Sequence, residues 1–322
     1  MLIDCGYEGS LSEARDFARK MEQSGLFHGL WLNDTSNDPF LLSQAAISAT
    51  SRILVGTNIA VAFARSPFAL AQTAYNLAHL SEGRFCLGLG TQVKAHIEKR
   101  FSATWPDKPI RALKEYVALL RHLFDCFEKR ARPSFRGDYY RCTLGSPVFT
   151  PDHHQYPAPK IGFSAVGPVA TRAAGQVADC VFLHPFTHLK YLHEVTLPAL
   201  EQGKQKRAPE RGKLEVVGSC FILASDSANY AEARSLALGR LAFYASTPNY
   251  KAVLTTLGLE ELHRELHALS KRGEWQTMAS ILPPEFVSAC LLEEEAARLP
   301  DALQERFGAL YDRVVVDGRL LL

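Results

Sequence analysis

Polar side chains follow several short apolar runs of this sequence, and such positions are where an α/β protein with parallel strands places its reactive groups. Asn33 and Asp34 come directly after Gly29–Leu32, while Thr57 and Asn58 lie near the end of the next run. A carboxylate at such a position can give or take a proton, and an amide can orient a ligand. We therefore predict a shared cavity, with Asp34 as a candidate acid and Asn33 as a ligand contact.

Histidines offer further candidates for proton transfer or metal binding. His184 follows the run Cys180–Leu183 and is a candidate for a polar group that faces the same cavity. His263 and His267 have helical spacing, but an arginine follows His263, so the H-E-x-x-H pattern of a zinc enzyme is missing. We predict no metal site.

Two glycines at the end of another apolar run indicate close approach of a ligand. Gly88 and Gly90 resemble the start of a dinucleotide-binding turn, but the third glycine of G-x-G-x-x-G would fall on Val93. A Rossmann site is therefore excluded. Glycines that leave a barrel strand still let a ligand come close to the backbone, and Thr91 and Gln92 then supply hydrogen-bonding groups.

The segment Ser164–Pro168 links an apolar run to a predicted helix. Small residues such as Ala165, Val166 and Gly167 leave the first backbone N–H groups of a helix free, beside the positive end of its dipole. A phosphate group is the predicted ligand. An ordinary strand-to-helix connection with Pro168 in the first helical turn remains the alternative.

The elements that must position these residues alternate regularly along the chain. Eight apolar runs predict strands: Leu2–Cys5, Gly29–Leu32, Ile53–Ile59, Phe85–Leu89, Ile161–Ser164, Cys180–Leu183, Leu214–Leu223 and Arg313–Val316. Amphipathic stretches between them predict helices: Leu11–Ser24, Phe40–Ala49, Pro67–Leu80, Ile110–Phe127, Val169–Val177, Leu189–Gln202 and Ser227–Leu241. Eight strands with a helix after most of them predict a (β/α)₈ barrel rather than two Rossmann halves.

Two spans are longer than a simple βα unit requires. Arg130–Pro159 is rich in prolines and aromatic residues, and a long loop in a compact domain is often functional. Tyr244–Pro300 predicts an insertion between the seventh and eighth strands, and insertions of this kind often cover an active site or form a subunit contact. We expect a single domain over residues 1–322. Six aromatic residues indicate an apolar substrate pocket, with packing as the alternative role: Phe135, Tyr139, Tyr140, Phe149, Phe186 and Tyr244.

Composition excludes several classes of protein. The 322 residues are 47% hydrophobic and carry a formal net charge of +2 without a long basic block, which argues against disorder and against nucleic-acid binding. A small-molecule ligand is the expected partner. The seven cysteines are scattered and form no C-x-x-C pair, so free thiols are predicted. The sequence lacks both a membrane-spanning run and a signal pattern, and we expect a cytoplasmic protein.

Several segments together resemble a known family, the luciferase-like flavin and deazaflavin oxidoreductases. The similarity is strongest to its F420-dependent subgroup and extends over nearly the whole chain. It is carried by these segments: Leu54–Ala62, Arg65–Pro67, Leu80–Gly90, Gly90–Phe101, Arg111–Tyr116, Phe135–Tyr140, Ala178–Asp179, His184–Phe186, Tyr244–Pro248 and Leu269–Trp275.

The resemblance implies a (β/α)₈ TIM barrel with a segment inserted before the last strand. It also implies a reduced deazaflavin, F420, or alternatively FMN, across the carboxyl-end mouth of the barrel. A cis peptide bond would lie at Asn58-Ile59, against the back of the cofactor ring. The residues matched to cofactor contacts are Thr91, Gln92 and Val93 for the ring or its ribityl chain, and Ala165, Val166 and Gly167 for the phosphate. A homodimer is also implied.

The sequence departs from the family at the end of the second strand. Relatives often have Glu or His there, whereas this chain has Asn33, Asp34 and Thr35. Asp34 could act as a shorter acid, or the proton could be handled by His184 or His96. The expected activity is hydride transfer between F420 and a small organic substrate. The alternatives are an FMNH₂-dependent monooxygenase that uses O₂ and a flavin-binding barrel without catalysis.

Overall fold

The computed structural model describes residues 1–317, and residues 318–322 lie outside the description. The strands, in chain order, are β1 (Leu2–Tyr7), β2 (Gly29–Leu32), β3 (Leu54–Thr57), β4 (Ala60–Val61), β5 (Phe85–Gly90), β6 (Phe135–Arg136), β7 (Arg141–Cys142), β8 (Lys160–Ala165), β9 (Cys180–Leu183), β10 (Glu215–Ser219), β11 (Phe221–Ala224), β12 (Leu291–Glu294) and β13 (Arg313–Asp317).

Helices connect most of these strands. In chain order they are α1 (Ala14–Ser24), α2 (Pro39–Ile47), α3 (Pro67–Leu80), α4 (Lys94–Lys99), α5 (Pro109–Lys129), α6 (Gly167–Val177), α7 (Leu189–Tyr191), α8 (Leu197–Lys204), α9 (Tyr230–Ser246), α10 (Lys251–Thr255), α11 (Glu260–Arg272), α12 (Trp275–Ser280), α13 (Pro284–Cys290) and α14 (Leu299–Phe307). None of these helices combines the length and the apolar character needed to cross a bilayer.

Eight parallel strands form a closed barrel, as the alternation in the sequence predicted. The order around the barrel is β1, β2, β3, β5, β8, β9, β10 and β13, and β13 pairs in turn with β1, with Leu2 opposite Arg313. Because all eight run in the same direction, their carboxyl ends meet at one mouth. The predicted fold class is confirmed, and the candidate site residues that end these strands lie at that mouth.

The third barrel strand is interrupted and then resumes as β4. Gly56 pairs with Cys86, and Ala60 pairs with Leu89. Between these two pairs the chain advances by four residues on this strand but by three on β5. One extra residue is therefore accommodated, which is the definition of a β-bulge. The bulge contains Asn58 and places it beside the barrel mouth instead of in the regular ladder.

The inside of the barrel is filled with side chains and closed at its amino end. Trp31 and Phe182 meet edge to face at 4.9 Å within the interior, where Cys86 and Cys180 also pack. Below them the Asp4 carboxylate, which is fully buried, accepts a hydrogen bond from Trp31 Nε1 at 2.9 Å. The Arg313 guanidinium forms a salt bridge with the Asp4 carboxylate, with an N–O distance of 2.8 Å. Within residues 1–317 the interior is thus a packed core, and the carboxyl-end mouth is the candidate entrance for ligands.

The extra chain between β10 and β13 begins earlier than the sequence predicted. The apolar run Leu214–Leu223 is split at Cys220, and its second half, β11, leaves the barrel to pair in parallel with β12. Helix α9, expected as an ordinary barrel helix, packs instead with α11 and α12 around a separate apolar cluster. Strand β11 and helix α9 thus already lie outside the barrel, whereas the sequence analysis placed the start of the insertion near Tyr244; the extent of the insertion stays a prediction.

The long loop Arg130–Pro159 packs against the outside of the helical ring. The Glu115 carboxylate of α5 accepts hydrogen bonds from the backbone N–H groups of Asp138, Tyr139 and Tyr140, at 2.7 to 3.0 Å. Tyr140 also packs edge to face on Tyr116 at 5.3 Å. These contacts favour packing, one of the two predicted roles, for Tyr140, whereas the Phe149 side chain is 62% exposed.

Candidate active site

Thr57 holds the bulged strand to its neighbour at the mouth. Its buried hydroxyl donates to the carbonyl of Gly88 at 2.7 Å and accepts from the N–H of the same residue at 2.9 Å. A side chain thus replaces the backbone ladder where the bulge interrupts it. A Cβ atom at Gly88 would overlap the Thr57 carbonyl oxygen and lie 2.7 Å from the ring of Phe182. The glycine is therefore required by close strand packing.

The peptide bond between Asn58 and Ile59 is cis, as the family resemblance implied. The Asn58 N–H donates to the Leu32 carbonyl at 3.0 Å, which connects the bulge to β2. On the other side, a Cβ atom at Gly90 would lie 2.7 Å from Ile59 Cδ1 and 3.1 Å from Ser164 Oγ. Ile59 and the end of β8 therefore border each other across Gly90, and both are part of one mouth.

The Asp34 carboxylate binds the segment that follows the bulge. One of its carboxylate oxygens accepts from the Val61 N–H at 2.9 Å and from Arg65 at 2.5 Å. Arg65 also contacts Asp38, whose other oxygen caps the start of α2. These partners occupy the carboxylate that the sequence analysis proposed as an acid. The geometry favours a positioning role for Asp34, and direct proton transfer by this residue stays an untested prediction.

Asn33 contacts a carboxylate that the sequence analysis did not consider. Its side-chain amide donates to Glu8, which follows β1, at 2.5 Å. Across the mouth, the pKa of Tyr244 is raised mainly by burial. The Arg240 charge opposes this increase, and the Glu8 charge adds to it. Glu8 and Asn33 therefore form a polar pair that faces the inserted segment. The sequence signal for Glu8 was its position directly after the first barrel strand.

The residues after β5 form a tight turn before α4. Gln92 has a left-handed backbone with φ 59°, and its side-chain oxygen accepts from the N–H of Val93 at 3.0 Å. The Thr91 hydroxyl donates to the Gln92 carbonyl at 2.9 Å. On α4, His96 keeps a buried Nδ1 atom without a hydrogen-bond partner in the described part of the chain. His96 is joined to the candidate Val93 by its backbone, whose N–H donates to the Val93 carbonyl at 3.0 Å. The role of its side chain in proton transfer stays a prediction.

The segment from Ala165 to Gly167 forms an open helix start. Val166 has extended backbone and its side chain gives no cap to α6, so the first N–H groups of this helix lack a side-chain partner. Gly167 has φ 76°, and a Cβ atom there would meet nothing within 4 Å. Space and free donors coincide, which is the arrangement that binds an anion.

His184 shares one cleft with this helix start and with the inserted segment. The cleft is lined by Ala165, Val166 and Gly167, by His184 and Thr187, and by Asn249 and Tyr250 from the insertion. The centre of the His184 ring lies 4.6 Å from the ring centre of Tyr244 and 4.7 Å from that of Tyr250. The insertion thus covers the cleft. Of the aromatic residues predicted to form the pocket, Phe186 and Tyr244 lie here, and the contribution of Tyr250 was missed.

Burial sets the protonation of His184. Its Nδ1 atom accepts from the Phe186 N–H at 3.1 Å, which leaves the proton of the neutral ring on Nε2. Burial lowers the pKa of His184 to about 4. The imidazole is therefore neutral near pH 7, so it can donate one hydrogen bond from Nε2 to a ligand but does not act as a cationic acid.

The low pKa of His184 predicts a pH dependence of folding. The unfolded chain takes up this proton near its usual pKa of about 6.5, whereas the folded protein does so only near 4. Stability therefore falls as pH drops from about 6.5 towards 4, by up to about 3 kcal/mol. His184→Gln should flatten this slope when free energies of unfolding are measured across that range. His193→Gln, at an exposed position, should leave it in place; equal slopes for wild type and His184→Gln would contradict the assignment.

The two histidines with helical spacing, His263 and His267, have structural partners. The Nδ1 atoms of His263 and His267 lie 2.7 Å from the Ala245 carbonyl and 3.0 Å from the Ser246 carbonyl. Both rings therefore satisfy carbonyl groups at the end of α9, which explains their helical spacing. Within residues 1–317, no three His, Cys, Asp or Glu side chains are grouped so that they could hold a metal ion.

Comparisons with known proteins agree with this geometry. Residues 4–313 match the family model described as luciferase-like monooxygenase. An uncharacterised protein of Mycobacterium tuberculosis is 39% identical over 316 residues, which cover 97% of this chain and 92% of the relative. An F420-dependent glucose-6-phosphate dehydrogenase of Nakamurella multipartita is 28% identical over 98% of this chain and 96% of its own length.

A solved structure shows the same fold at lower identity. The coenzyme F420-dependent tetrahydromethanopterin reductase of Methanopyrus kandleri is 18% identical and superposes with a TM-score of 0.76, over 100% of this chain and 96% of that one. The family match, the closed barrel and the bulged third strand agree with one another. The chain belongs to the luciferase-like monooxygenase family of oxidoreductases.

Proposed function

We propose that this protein transfers hydride between coenzyme F420 and a small organic substrate. The proposal rests on the fact that two features suited to a cofactor lie at the same opening of the barrel. The bulge at Asn58-Ile59 and the open helix start at Gly167 border the same opening, because Ile59 and Ser164 approach each other at Gly90. A bulged wall next to an anion-binding helix start suits a flat ring with a phosphorylated tail.

The residues present fit such a cofactor. Thr187 has a buried hydroxyl oxygen without a hydrogen-bond partner among residues 1–317, and it lies in the cleft beside Gly167. A phosphate oxygen would satisfy that hydroxyl together with the free N–H groups of α6. Asn58, Ile59 and the Thr91–Val93 turn would then border the ring. When bound, a deazaflavin supplies a carbon that carries hydride and reacts poorly with oxygen.

The protein's own groups would bind the substrate and exclude water. Tyr244 and Tyr250 from the insertion cover His184, and the neutral His184 ring can donate one hydrogen bond to a substrate oxygen. Glu8, held by Asn33, places a carboxylate close enough to this cover for its charge to act on Tyr244. The aromatic cover favours a substrate with an apolar part. A homodimer remains our expectation for the assembly.

The choice of cofactor favours F420 because a relative that aligns along 98% of this chain is named as F420-dependent. The family description also includes monooxygenases, so FMN with O₂ is the second candidate. Titration of the purified protein with each cofactor, oxidised and reduced, separates the two, because their absorbance and fluorescence report binding directly. Saturable binding of FMN alone would overturn the proposal. Binding without reoxidation of either cofactor by any substrate would indicate a non-catalytic barrel.

Asn58→Ala should weaken cofactor positioning more than it weakens the fold. The amide side chain lies on the bulge at the mouth, whereas the hydrogen bond to Leu32 uses the backbone and is kept. We expect turnover to fall by roughly tenfold or more, with a change in unfolding free energy below about 1 kcal/mol. Asn76→Ala, on the exposed face of α3, is the control. Parallel losses of stability and turnover in Asn58→Ala would contradict the assignment.

A further inference from the structure

A second cavity lies outside the barrel, between helices α5, α6 and α8. It is an open groove with a volume of about 460 Å³. Its walls include Lys114 of α5, Arg172 of α6 and Lys206 just after α8. The groove shares no lining residue with the cleft around His184. The proposed oxidoreductase activity therefore gives no reason for it.

The charges around the groove are all of one sign. Five cationic side chains line it, and none of its lining residues is acidic: Lys108, Arg111, Lys114, Arg172 and Lys206. Arg111 is ion-paired with Asp138. The other four have no ion pair within the part of the chain that the structure describes. Like charges gathered without counterions repel one another, so the fold itself gains nothing from this arrangement.

Lys114 is the clearest example of a cationic side chain in the groove that lacks a counter-charge. Its ammonium group donates to the neutral side-chain oxygen of Gln176 at 2.6 Å and has no carboxylate partner among residues 1–317. Burial, and then the nearby charge of Lys206, lowers the pKa of Lys114. An anion in the groove would relieve both effects, because it would supply the missing counter-charge in a half-buried position.

Apolar groups lie between the charged ones. Ile110 and Ala173 form part of the groove, and Val169 exposes 61% of its surface although it is β-branched and apolar. Inorganic phosphate would leave this surface in water. A molecule with both a flat apolar body and several negative charges would cover it and also neutralise the cations.

We propose that this groove binds an organic phosphate of the nucleoside diphosphate type. The phosphates contact Lys114, Arg172 and Lys206, and the flat body covers Ile110 and Val169. This site is separate from the cofactor cleft and does not depend on the proposed function. Helix α6 borders both, since Gly167 opens on the cleft and Arg172 on the groove.

Calorimetric titration of the full-length protein with ADP, pyrophosphate and adenosine tests the proposal. We expect saturable binding of one ADP per chain, tighter than that of pyrophosphate or adenosine, and weaker at higher salt. Lys114→Gln/Arg172→Gln should reduce the ADP affinity by at least about tenfold, since two charge-assisted contacts are lost. Lys20→Gln/Lys271→Gln removes the same charge from exposed positions elsewhere and should leave the affinity unchanged.

Several results would overturn the groove as an organic-phosphate site. They are the absence of saturable ADP binding, an affinity unaffected by Lys114→Gln/Arg172→Gln, and pyrophosphate binding as tightly as ADP. Far-ultraviolet circular dichroism checks that the double variant is folded, and Lys114→Gln alone serves if it is not. A loss of ADP binding in Thr187→Val, which removes a hydroxyl of the cleft alone, would place ADP in the cleft and also overturn the proposal. Failure of F420 to bind leaves this test intact.

Discussion

Gly88→Ala is expected to destabilise the protein by about 3 kcal/mol or more. The added methyl group would overlap the carbonyl oxygen of Thr57, which is backbone and cannot move aside without shifting the bulge. It would also press on the Phe182 ring, which fills the barrel interior beside Trp31. Urea unfolding followed by tryptophan fluorescence gives the free energy change.

Gly239→Ala is the matched control for that substitution. Gly239 lies within α9, and a Cβ atom there would meet nothing within 4 Å. Alanine favours helix over glycine, so stability should stay the same or rise by up to about 1 kcal/mol. If Gly88→Ala were as stable as Gly239→Ala, the close approach of β3 and β5 described here would be wrong.

Asp34→Ala is expected to cost about 2 kcal/mol of stability and most of the cofactor affinity. The substitution removes the acceptor for the Val61 N–H. It leaves the mostly buried Arg65 guanidinium with the longer contacts to Asp38, at 3.3 Å, and to the Val61 carbonyl, at 3.2 Å. Loss of one partner from a buried pair is costly, and residual exposure of Arg65 reduces the effect here. Unfolding free energy and cofactor titration measure both changes.

Asp34→Asn separates positioning from acid catalysis. An asparagine oxygen can still accept from Val61 but cannot neutralise Arg65, so an intermediate loss of both stability and affinity is expected. Full stability and affinity with abolished turnover would instead identify Asp34 as the acid. Asp16→Ala breaks an exposed ion pair with Arg19 and should change stability by less than about 0.5 kcal/mol.

The strands of the barrel were predictable because parallel strands are buried on both faces and therefore form continuous apolar runs. The same property produced the error at Leu214–Leu223. Its residues remain apolar across Cys220, and nothing in the local sequence signals that β11 leaves the barrel for a partner about 70 residues away. Where a strand changes partner is decided by tertiary packing, which local patterns do not record.

The sequence predicted where the candidate site lies in the barrel, but not which side chains contact one another there. Residues that follow barrel strands were correctly expected at the mouth, since the topology alone brings them there. The partner of Asp34, however, is Arg65, 31 positions away, and the cover over His184 comes from the insertion. Such contacts depend on side-chain direction across separate elements. The role of Thr57 was missed for the same reason, although its position at the strand end was noted.

The salt bridge between Asp4 and Arg313 has a consequence for synthesis on the ribosome. These residues are 309 positions apart, and they join the first strand to the last. A nascent chain therefore carries Asp4 without its counter-charge until synthesis has passed Arg313. The barrel cannot close before β13 has been made, and truncated products that end before Arg313 would expose both edges of an open sheet to chaperones and proteases.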